Sequence, residues 1–228
     1  MLLTLFLVVL LFTASAQAPR AAPHRAEGVV LWEQPVSPSG DAVNSHDYEV
    51  DLDAFDVYAV DDFSNAEPWI IDTIFVAADT WLLECHLTCA DALNWEIYGD
   101  AEGLPNGGPW GEGESPVWEE RLEPLDPQVE LTPGFYDWLT DVTLHLDPPL
   151  ELPPGTWWLV FYPSLNHVAC GCDAGWLVAE TANGYPAMVA NPGEGWGYPP
   201  IWTPIREEPF EQEEQDLAFR LEGPMDYD

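Results

Sequence analysis

Short hydrophobic runs separated by turn-forming residues dominate the sequence. In one of them Val142, Leu144 and Leu146 alternate with polar residues, the period of two that marks a strand with one buried face. Hydrophobic residues nowhere keep a helical spacing over three turns, so long helices are not expected. The strand-like runs are Val29–Gln34, Val57–Phe63, Trp69–Ala77, Leu93–Tyr98, Val142–Leu146, Thr156–Tyr162, Gly175–Glu180 and Leu217–Leu221. This pattern predicts an all-β fold, a single jelly-roll-like β-sandwich.

Two segments rich in glycine and proline are expected to form long loops between these strands. Gly99–Ser115 contains closely spaced glycines, and Asn191–Gln215 runs through the sequence NPGEGWGYPP into an acidic stretch. Loops of this length in a compact domain are either functional or mobile.

The N-terminus has the features of a secretory signal peptide. A hydrophobic run from Leu2 to Phe12 is too short to span a bilayer and is followed by small residues of the A-x-A type. Cleavage is expected after Ala16, so residues 1–16 would be removed. Residues 17–28 then form a flexible tether, residues 29–223 the β-sandwich domain and residues 224–228 a short tail. We expect a secreted protein, extracellular or periplasmic, with no membrane insertion after signal cleavage.

The charge of the chain excludes several classes of partner. The 228 residues include 41 Asp and Glu against five Arg and no Lys, for a formal net charge of −36. Binding to nucleic acid or to anionic lipid requires clustered basic residues, so neither is expected. Hydrophobic residues make up 47% of the chain, which permits a folded core despite the charge. The acidity also fits a saline habitat, because halophilic proteins carry the same bias.

A series of motifs follows in a fixed order along the mature chain. It comprises LWEQ at 31–34, AVDDF at 59–63, WII at 69–71, IYGD at 97–100, GLP at 103–105, LPPGTWW at 152–158, NPG at 191–193, Trp202 and DLAF at 216–219. The series resembles a group of secreted bacterial β-sandwich domains, most of them without an assigned function. The chain departs from that group at Val60, where Ala is usual, and at Asn106, where Gly is usual. The resemblance implies the fold and the compartment, and in outline the group is similar to calcium-binding sandwiches such as carbohydrate-binding modules.

Acidic residues beside two predicted strands are candidate ligands for Ca²⁺. Asp56, Asp61, Asp62 and Asp216 supply carboxylate oxygens, which this hard cation prefers. The spacing is not that of an EF-hand, because Asp56 stands where a loop starting at Asp51 would need glycine. In an extended strand Asp61 and Asp62 point to opposite faces, so only one of them is expected at any one site. The alternative is that these are solvated acids on a very acidic surface.

The four cysteines, Cys85, Cys89, Cys170 and Cys172, are predicted to form disulfides. A zinc site that also uses His86 and His167 is the alternative. Export favours disulfides. A bond between Cys170 and Cys172 would close a strained ring. Pairing of the first two cysteines with the last two, and local pairing of Cys85 with Cys89, both remain open.

Aromatic residues in or near the predicted loops are candidate ligand-binding residues. We single out Trp110, Trp118, Trp196 and Tyr198 from a chain that contains 12 tryptophans. An exposed ring can stack on the C–H face of a sugar while neighbouring carboxylates accept hydrogen bonds from its hydroxyls. The alternative is that these rings only cover the sandwich. The adjacent Trp157 and Trp158 must face opposite sides of one strand, so one enters the core and the other meets solvent or a covering loop.

Sequence signatures of enzymes are missing. The chain has no G-x-S-x-G, no H-E-x-x-H and no glycine-rich phosphate loop. We therefore predict a secreted, non-catalytic binding module for an extracellular glycan or surface component, with a structural Ca²⁺. An acidic structural, matrix or cation-binding surface protein is the alternative, and an extracellular hydrolase comes third, because a glycosidase needs only two placed carboxylates.

Overall fold

A computed structural model of the chain describes residues 28–81, 86–135, 139–207 and 216–224. It confirms the all-β prediction, with fifteen strands in the described residues. The strands are β1 (Val29–Gln34), β2 (Ala42–Asn44), β3 (Asp47–Tyr48), β4 (Tyr58–Asn65), β5 (Trp69–Val76), β6 (Ala78–Trp81), β7 (Ala92–Gly99), β8 (Trp118–Leu122), β9 (Val129–Pro133), β10 (Leu139–Leu152), β11 (Gly155–Leu165), β12 (Asp173–Leu177), β13 (Met188–Ala190), β14 (Thr203–Pro204) and β15 (Phe219–Gly223). The predicted signal peptide and nearly all of the tether lie outside the described residues.

The strands form three sheets. A five-stranded sheet has the order β1-β15-β5-β10-β9, and a seven-stranded sheet has the order β14-β13-β4-β11-β7-β8 with β3 beside β11. A third sheet, β2-β12-β6, is smaller. In the described ranges the helical structure comprises one α-helical turn, α1 (His167–Cys170), and two 3₁₀ segments, Val50–Phe55 and Leu87–Cys89. All eight predicted runs contain or overlap a strand.

The five-stranded and seven-stranded sheets share one hydrophobic core, which makes the fold sandwich-like. Alternate residues of β4 and β11, such as Ala59, Phe63 and Phe161, point into this core, where they meet residues of β5 and β10 such as Ile74 and Leu144. The arrangement follows from the strand period of two, because every second side chain of a strand faces the same side. Burial of this apolar surface is the main stabilising contribution to such a fold.

The opposite face of the seven-stranded sheet carries a second hydrophobic cluster, the outer cluster. Its buried members are Tyr58, Val60, Tyr98, Trp158, Val160, Tyr162 and Met188. Trp110 and Trp202, from the two long loops, pack against it. The prediction for the adjacent tryptophans is confirmed: Trp157 packs against the main core, whereas Trp158 is fully buried in the outer cluster. The ring of Tyr185 stacks over Trp158 at 5.9 Å.

A disulfide joins Cys89 to Cys170 and so confirms pairing between the two cysteine clusters. Cys172 is disulfide-bonded as well, whereas Cys85 lies outside the described residues. Zinc ligation by Cys89 and Cys170 is therefore wrong, because their sulfur atoms are bonded to each other. In the described part of the chain no helix is long and apolar enough to cross a membrane.

The Cys89–Cys170 bond links positions 81 residues apart, so its loss should lower stability. For a loop of this size the chain-entropy model gives at most about 4–5 kcal/mol of unfolding free energy. Because Cys172 keeps its own disulfide, we expect the double variant Cys89→Ser/Cys170→Ser to lose only part of that amount in urea-induced unfolding followed by tryptophan fluorescence. An unfolding free energy equal to that of the parent protein would contradict the expectation.

Candidate functional site

An open cavity of about 250 Å³ lies where five segments of the chain meet. These are β3, the 3₁₀ segment Val50–Phe55, α1, the start of β12 and the loop that follows β13. The lining side chains are Tyr48, Leu52, Phe55, His167, Asp173 and Trp196, and we call this space the aromatic cavity. Four of the six carry aromatic rings and one carries a carboxylate. Concave, largely apolar spaces with a few convergent polar groups are the usual form of a small-molecule site.

One wall of the aromatic cavity is held in place by the buried side chain of Asn191. Its amide Nδ2 donates to the carbonyl oxygens of Ala54, at 3.0 Å, and Asp56, at 2.6 Å. Its Oδ1 accepts a hydrogen bond from the backbone N–H of Trp196. The indole Nε1 of Trp196 in turn donates to the carbonyl of Phe55 at 2.7 Å. These bonds join the loop after β13 to the 3₁₀ segment and fix the Trp196 ring at the cavity.

Glycine is required in this loop because the two segments touch. A Cβ atom at Gly193 would overlap the Cα atom of Ala54, and one at Gly195 would overlap the Ala54 carbonyl. The close approach allows the Gly195 N–H to donate to that same carbonyl at 2.6 Å. The motif NPG at 191–193 therefore supplies both the amide that joins the segments and the glycine that lets them approach.

The rings at the cavity are arranged edge to face rather than in parallel stacks. Phe55 and Trp196 have ring centroids 5.6 Å apart and planes at 81°. Tyr48 and His167 are 5.2 Å apart, with planes at 73°. Edge-to-face contact is a favourable arrangement of aromatic pairs, so these contacts help to fix the rings that line the cavity.

A buried histidine supports the Tyr48 ring. The centroid of His46 lies 4.4 Å from that of Tyr48 and 6.1 Å from that of Trp196. Its Nδ1 lies 2.9 Å from the carbonyl oxygen of Ala174, and among the described residues its Nε2 has no hydrogen-bond partner. Burial lowers the pKa of His46. The imidazole is therefore neutral at physiological pH and adds no positive charge beneath the cavity.

Carboxylates surround Tyr48. Its hydroxyl donates to Oδ1 of Asp173, and its backbone N–H donates to Oδ1 of Asp56 at 2.8 Å. Glu49 accepts from the backbone N–H of His167 at 2.7 Å. The pKa of the Tyr48 hydroxyl is raised, first by burial and then by Asp173, Glu49 and Asp56. The electrostatic potential at this end of the cavity is therefore negative.

Of the four predicted calcium ligands, Asp216 acts electrostatically on both Asp61 and Asp62, whereas Asp56 lies elsewhere. Asp61 is fully buried, and its pKa is raised by burial and by the charge of Asp216. The pKa of Asp62 is raised to about 7 by burial, with contributions from Asp216 and Asp100. Asp61 and Asp62 alternate along β4 and face its opposite sides, as predicted, and Asp216 raises the pKa of both. Asp56 lies at the aromatic cavity instead, where burial and the neighbouring Asp47 raise its pKa to about 7.

Asp61, Asp62 and Asp216 all accept hydrogen bonds from donor groups of the protein. Oδ2 of Asp61 accepts from Nε2 of Gln34 at 2.6 Å and from the backbone N–H of Leu217 at 2.7 Å. Asp62 accepts from the N–H of Tyr185, and Asp216 accepts from that of Asn183. Within the ranges that the structure describes, no three His, Cys, Asp or Glu side chains are arranged as a metal-binding group. Calcium binding stays a prediction.

The four predicted ligand-binding aromatics are dispersed. Trp196 lines the aromatic cavity. Trp110 belongs to the outer cluster, where it packs on Tyr58 and Trp202 at centroid distances of 5.9 Å and 5.0 Å. Trp118 and Tyr198 are half-buried and pack against the main core. The four rings therefore do not form a single platform.

A second, smaller cleft lies beside the loop that bears Trp110. It encloses about 150 Å³ and includes the carboxylates Glu96, Glu114 and Glu119. Glu96 already accepts hydrogen bonds from the hydroxyls of Tyr98 and Tyr162. This cleft offers more acidic groups but fewer rings than the aromatic cavity, which makes it the weaker candidate for a small ligand.

Comparison of the chain with protein-family models, with curated proteins and with solved structures found no match. The resemblance to secreted bacterial β-sandwich domains thus stays a prediction that rests on the motif series. The function proposed below therefore rests on the geometry of the site.

The raised pKa values of the buried acids predict a protein that is more stable in mild acid. The pKa of Asp62 is raised to about 7 and that of Asp216 to about 6, so the fold favours the protonated acids. Their contribution is complete below the pKa of Asp in an unfolded chain, about 4, and is lost as the pH rises through 6 to 7. We expect the melting temperature to fall between pH 5.5 and pH 8, by about 2–4 °C for each kcal/mol lost.

The variant Asp62→Asn should reduce the fall in melting temperature between pH 5.5 and pH 8. The amide keeps an acceptor for the Tyr185 N–H but has no titrating proton. Asp41→Asn, at an exposed carboxylate, serves as the matched control and should leave the fall unchanged. A melting temperature that stays level or rises toward pH 8 would show that the buried acids do not titrate in this window.

Calcium binding is tested by melting the protein with and without the ion. If Ca²⁺ binds the folded chain, millimolar Ca²⁺ should raise the midpoint and EGTA should lower it, by mass action. Sodium chloride of equal ionic strength controls for general screening of the acidic surface. A midpoint that is the same in Ca²⁺ and EGTA would rule out the predicted structural ion.

Proposed function

We propose that this chain is an exported, non-catalytic binding module that holds an extracellular glycan or another surface component in the aromatic cavity. The observation that carries the proposal is the convergence of Tyr48, Phe55, His167 and Trp196, together with one carboxylate, on a single open space. Export is supported by the predicted signal peptide and by the Cys89–Cys170 disulfide, because disulfides persist in oxidising compartments.

The chemistry of the lining favours a ligand with an apolar face and no negative charge. Aromatic rings interact well with C–H groups, and the Asp173 carboxylate accepts hydrogen bonds from hydroxyl or ammonium donors. An anionic ligand would be repelled by Asp173, by the nearby Glu49 and by the net charge of −36. A neutral sugar or a cationic group is compatible with all three.

Binding is favoured over hydrolysis by the acids that face the cavity. Glycosidases of the common type place two carboxyl groups on opposite sides of the bond that they cleave. Among the described residues that line the cavity, Asp173 is the one carboxylate. Its Oδ1 already accepts the hydroxyl of Tyr48, so the carboxylate is positioned to orient a ligand.

An acidic matrix or cation-binding surface protein is the second candidate, and the observation that favours it is the net charge of −36. In such a protein the acids would bind cations collectively, without a defined site. The two candidates respond differently to the loss of one ring. Collective cation binding is unaffected by a change at Trp196, whereas binding in the cavity depends on it.

We expect the parent protein to be retarded in native gels that contain a soluble polysaccharide it recognises, and Trp196→Ala to lose at least about tenfold in affinity. The loss follows because the substitution removes the largest ring of the cavity. The matched control is Trp110→Ala, which removes a tryptophan from the outer cluster and should leave retardation unchanged. Equal retardation of the parent and Trp196→Ala would exclude the cavity as the site.

A further inference from the structure

We infer that the group recognised by the aromatic cavity is a methylated ammonium, carried by the surface component that the module binds. This inference rests on the proposed function, because it takes the same cavity as the binding site. It specifies the part of the ligand that enters the space between Tyr48, Phe55, Trp196 and His167.

The shape and composition of the lining support a cation with an apolar surface. The faces of tryptophan, tyrosine and phenylalanine attract cations through the negative face of the ring quadrupole, and tryptophan does so most strongly. All three ring types line this cavity. Two edge-to-face contacts, of Phe55 with Trp196 and of Tyr48 with His167, hold these rings in the lining.

The charges around the cavity have the sign that such a cation requires. Asp173 is part of the lining. Glu49 and Asp56 lie close enough to Tyr48 to raise the pKa of its hydroxyl, as Asp173 does. Neither Lys nor Arg occurs among the lining residues, so His167 is the one lining side chain that can carry a positive charge, and the buried His46 beneath Tyr48 is neutral. A positive group in the cavity is therefore attracted by the walls and by the surrounding acids.

Alternative guests fit this lining less well. A metal ion needs several oxygen ligands, and the cavity offers mainly ring and aliphatic carbon around a single carboxylate. A sugar in this open cavity would find a single carboxylate among the lining residues, so most of its hydroxyls would bond to water rather than to the protein. A methylated ammonium has few or no hydrogen-bond donors to satisfy and gains from both ring faces and carboxylates. The cavity thus matches this chemistry better than it matches a neutral sugar ring.

Isothermal titration of the full chain with choline chloride tests the inference, with 3,3-dimethylbutanol as the uncharged isostere. Both probes have the same shape, so the difference between them reports the charge. At 150 mM NaCl, which screens weak contacts with the acidic surface, we expect choline to bind at least about tenfold more tightly than the isostere. Equal affinity for the two probes would overturn the inference and would leave the cavity as an ordinary apolar site.

Variants of Trp196 distinguish binding to the face of an aromatic ring from binding by apolar contact alone. Trp196→Phe keeps an aromatic face and should retain choline binding within a fewfold of the parent. Trp196→Leu keeps apolar surface without the face and should lose at least about tenfold. Asp173→Asn, which keeps an acceptor for the Tyr48 hydroxyl, should weaken the binding of choline but not that of the isostere. Trp110→Ala, in the outer cluster, is the control that should bind as the parent does.

The two proposals fail in different ways. If a polysaccharide binds and Trp196→Ala abolishes that binding, while choline does not bind, the proposed function stands and the methylated ammonium is wrong. If neither a polysaccharide nor choline binds, both proposals fail.

If choline binds, phosphatidylcholine vesicles identify the natural source of the methylated ammonium. Retention of the protein on the vesicles would indicate a lipid headgroup, and lack of retention would indicate a soluble or polymer-borne group. Both outcomes support the inference. Near-UV circular dichroism confirms that each variant is folded.

Discussion

The structure has to accommodate buried carboxylates with very few cations. The chain carries 41 acidic residues against five arginines, so most buried acids cannot form ion pairs and must find neutral donors. Asp61 bonds to the amide of Gln34 and to a backbone N–H, and Glu96 bonds to two tyrosine hydroxyls. Asp173 bonds to Tyr48 in the same way. Neutral donors satisfy the hydrogen bonds of an acid without cancelling its charge.

This constraint connects the fold to the proposed site. Because the charges are not cancelled, burial and mutual repulsion raise the pKa values of acids such as Asp62 and Asp56. The same uncancelled charge gives the aromatic cavity a negative potential. In a protein with ordinary numbers of lysine and arginine the rings would still attract a cation, but nearby basic residues would offset that attraction. Here the acids and the rings both attract a cationic guest.

The strands of the two large sheets could be predicted from the sequence, because their period of two reflects one buried face. The run Val29–Gln34 matches β1 residue for residue, and the alternation around Leu144 identifies the core face of β10. Strands such as β3 and β14, with two residues each, could not be found. They are defined by pairing with distant partners, and two residues carry no periodic signal. The jelly-roll topology and the domain limits stay predictions.

The candidate site was predicted only in part. Trp196 was singled out as a loop tryptophan, but Tyr48, Phe55 and Asp173 were missed, because they lie far apart in the sequence in segments without a shared pattern. The signal that could have pointed to them is the motif NPG at 191–193, whose asparagine is buried and joins the loop to the 3₁₀ segment. The expectation that Asp61 and Asp62 face opposite sides of their strand is met, because Asp61 lies on the side of the main core and Asp62 on the side of the outer cluster.

The central claim is that the aromatic cavity binds a methylated ammonium, and indole N–H resonances test it directly. Trp196 donates its Nε1–H to Phe55 at the cavity, whereas Trp202 donates its own to Gly107 beside the outer cluster. In ¹H–¹⁵N correlation spectra recorded during a choline titration, the account predicts that the Trp196 indole signal shifts in a saturable manner while that of Trp202 stays in place. A Trp196 signal that does not move at saturating choline, or shifts confined to the outer cluster, would contradict the account.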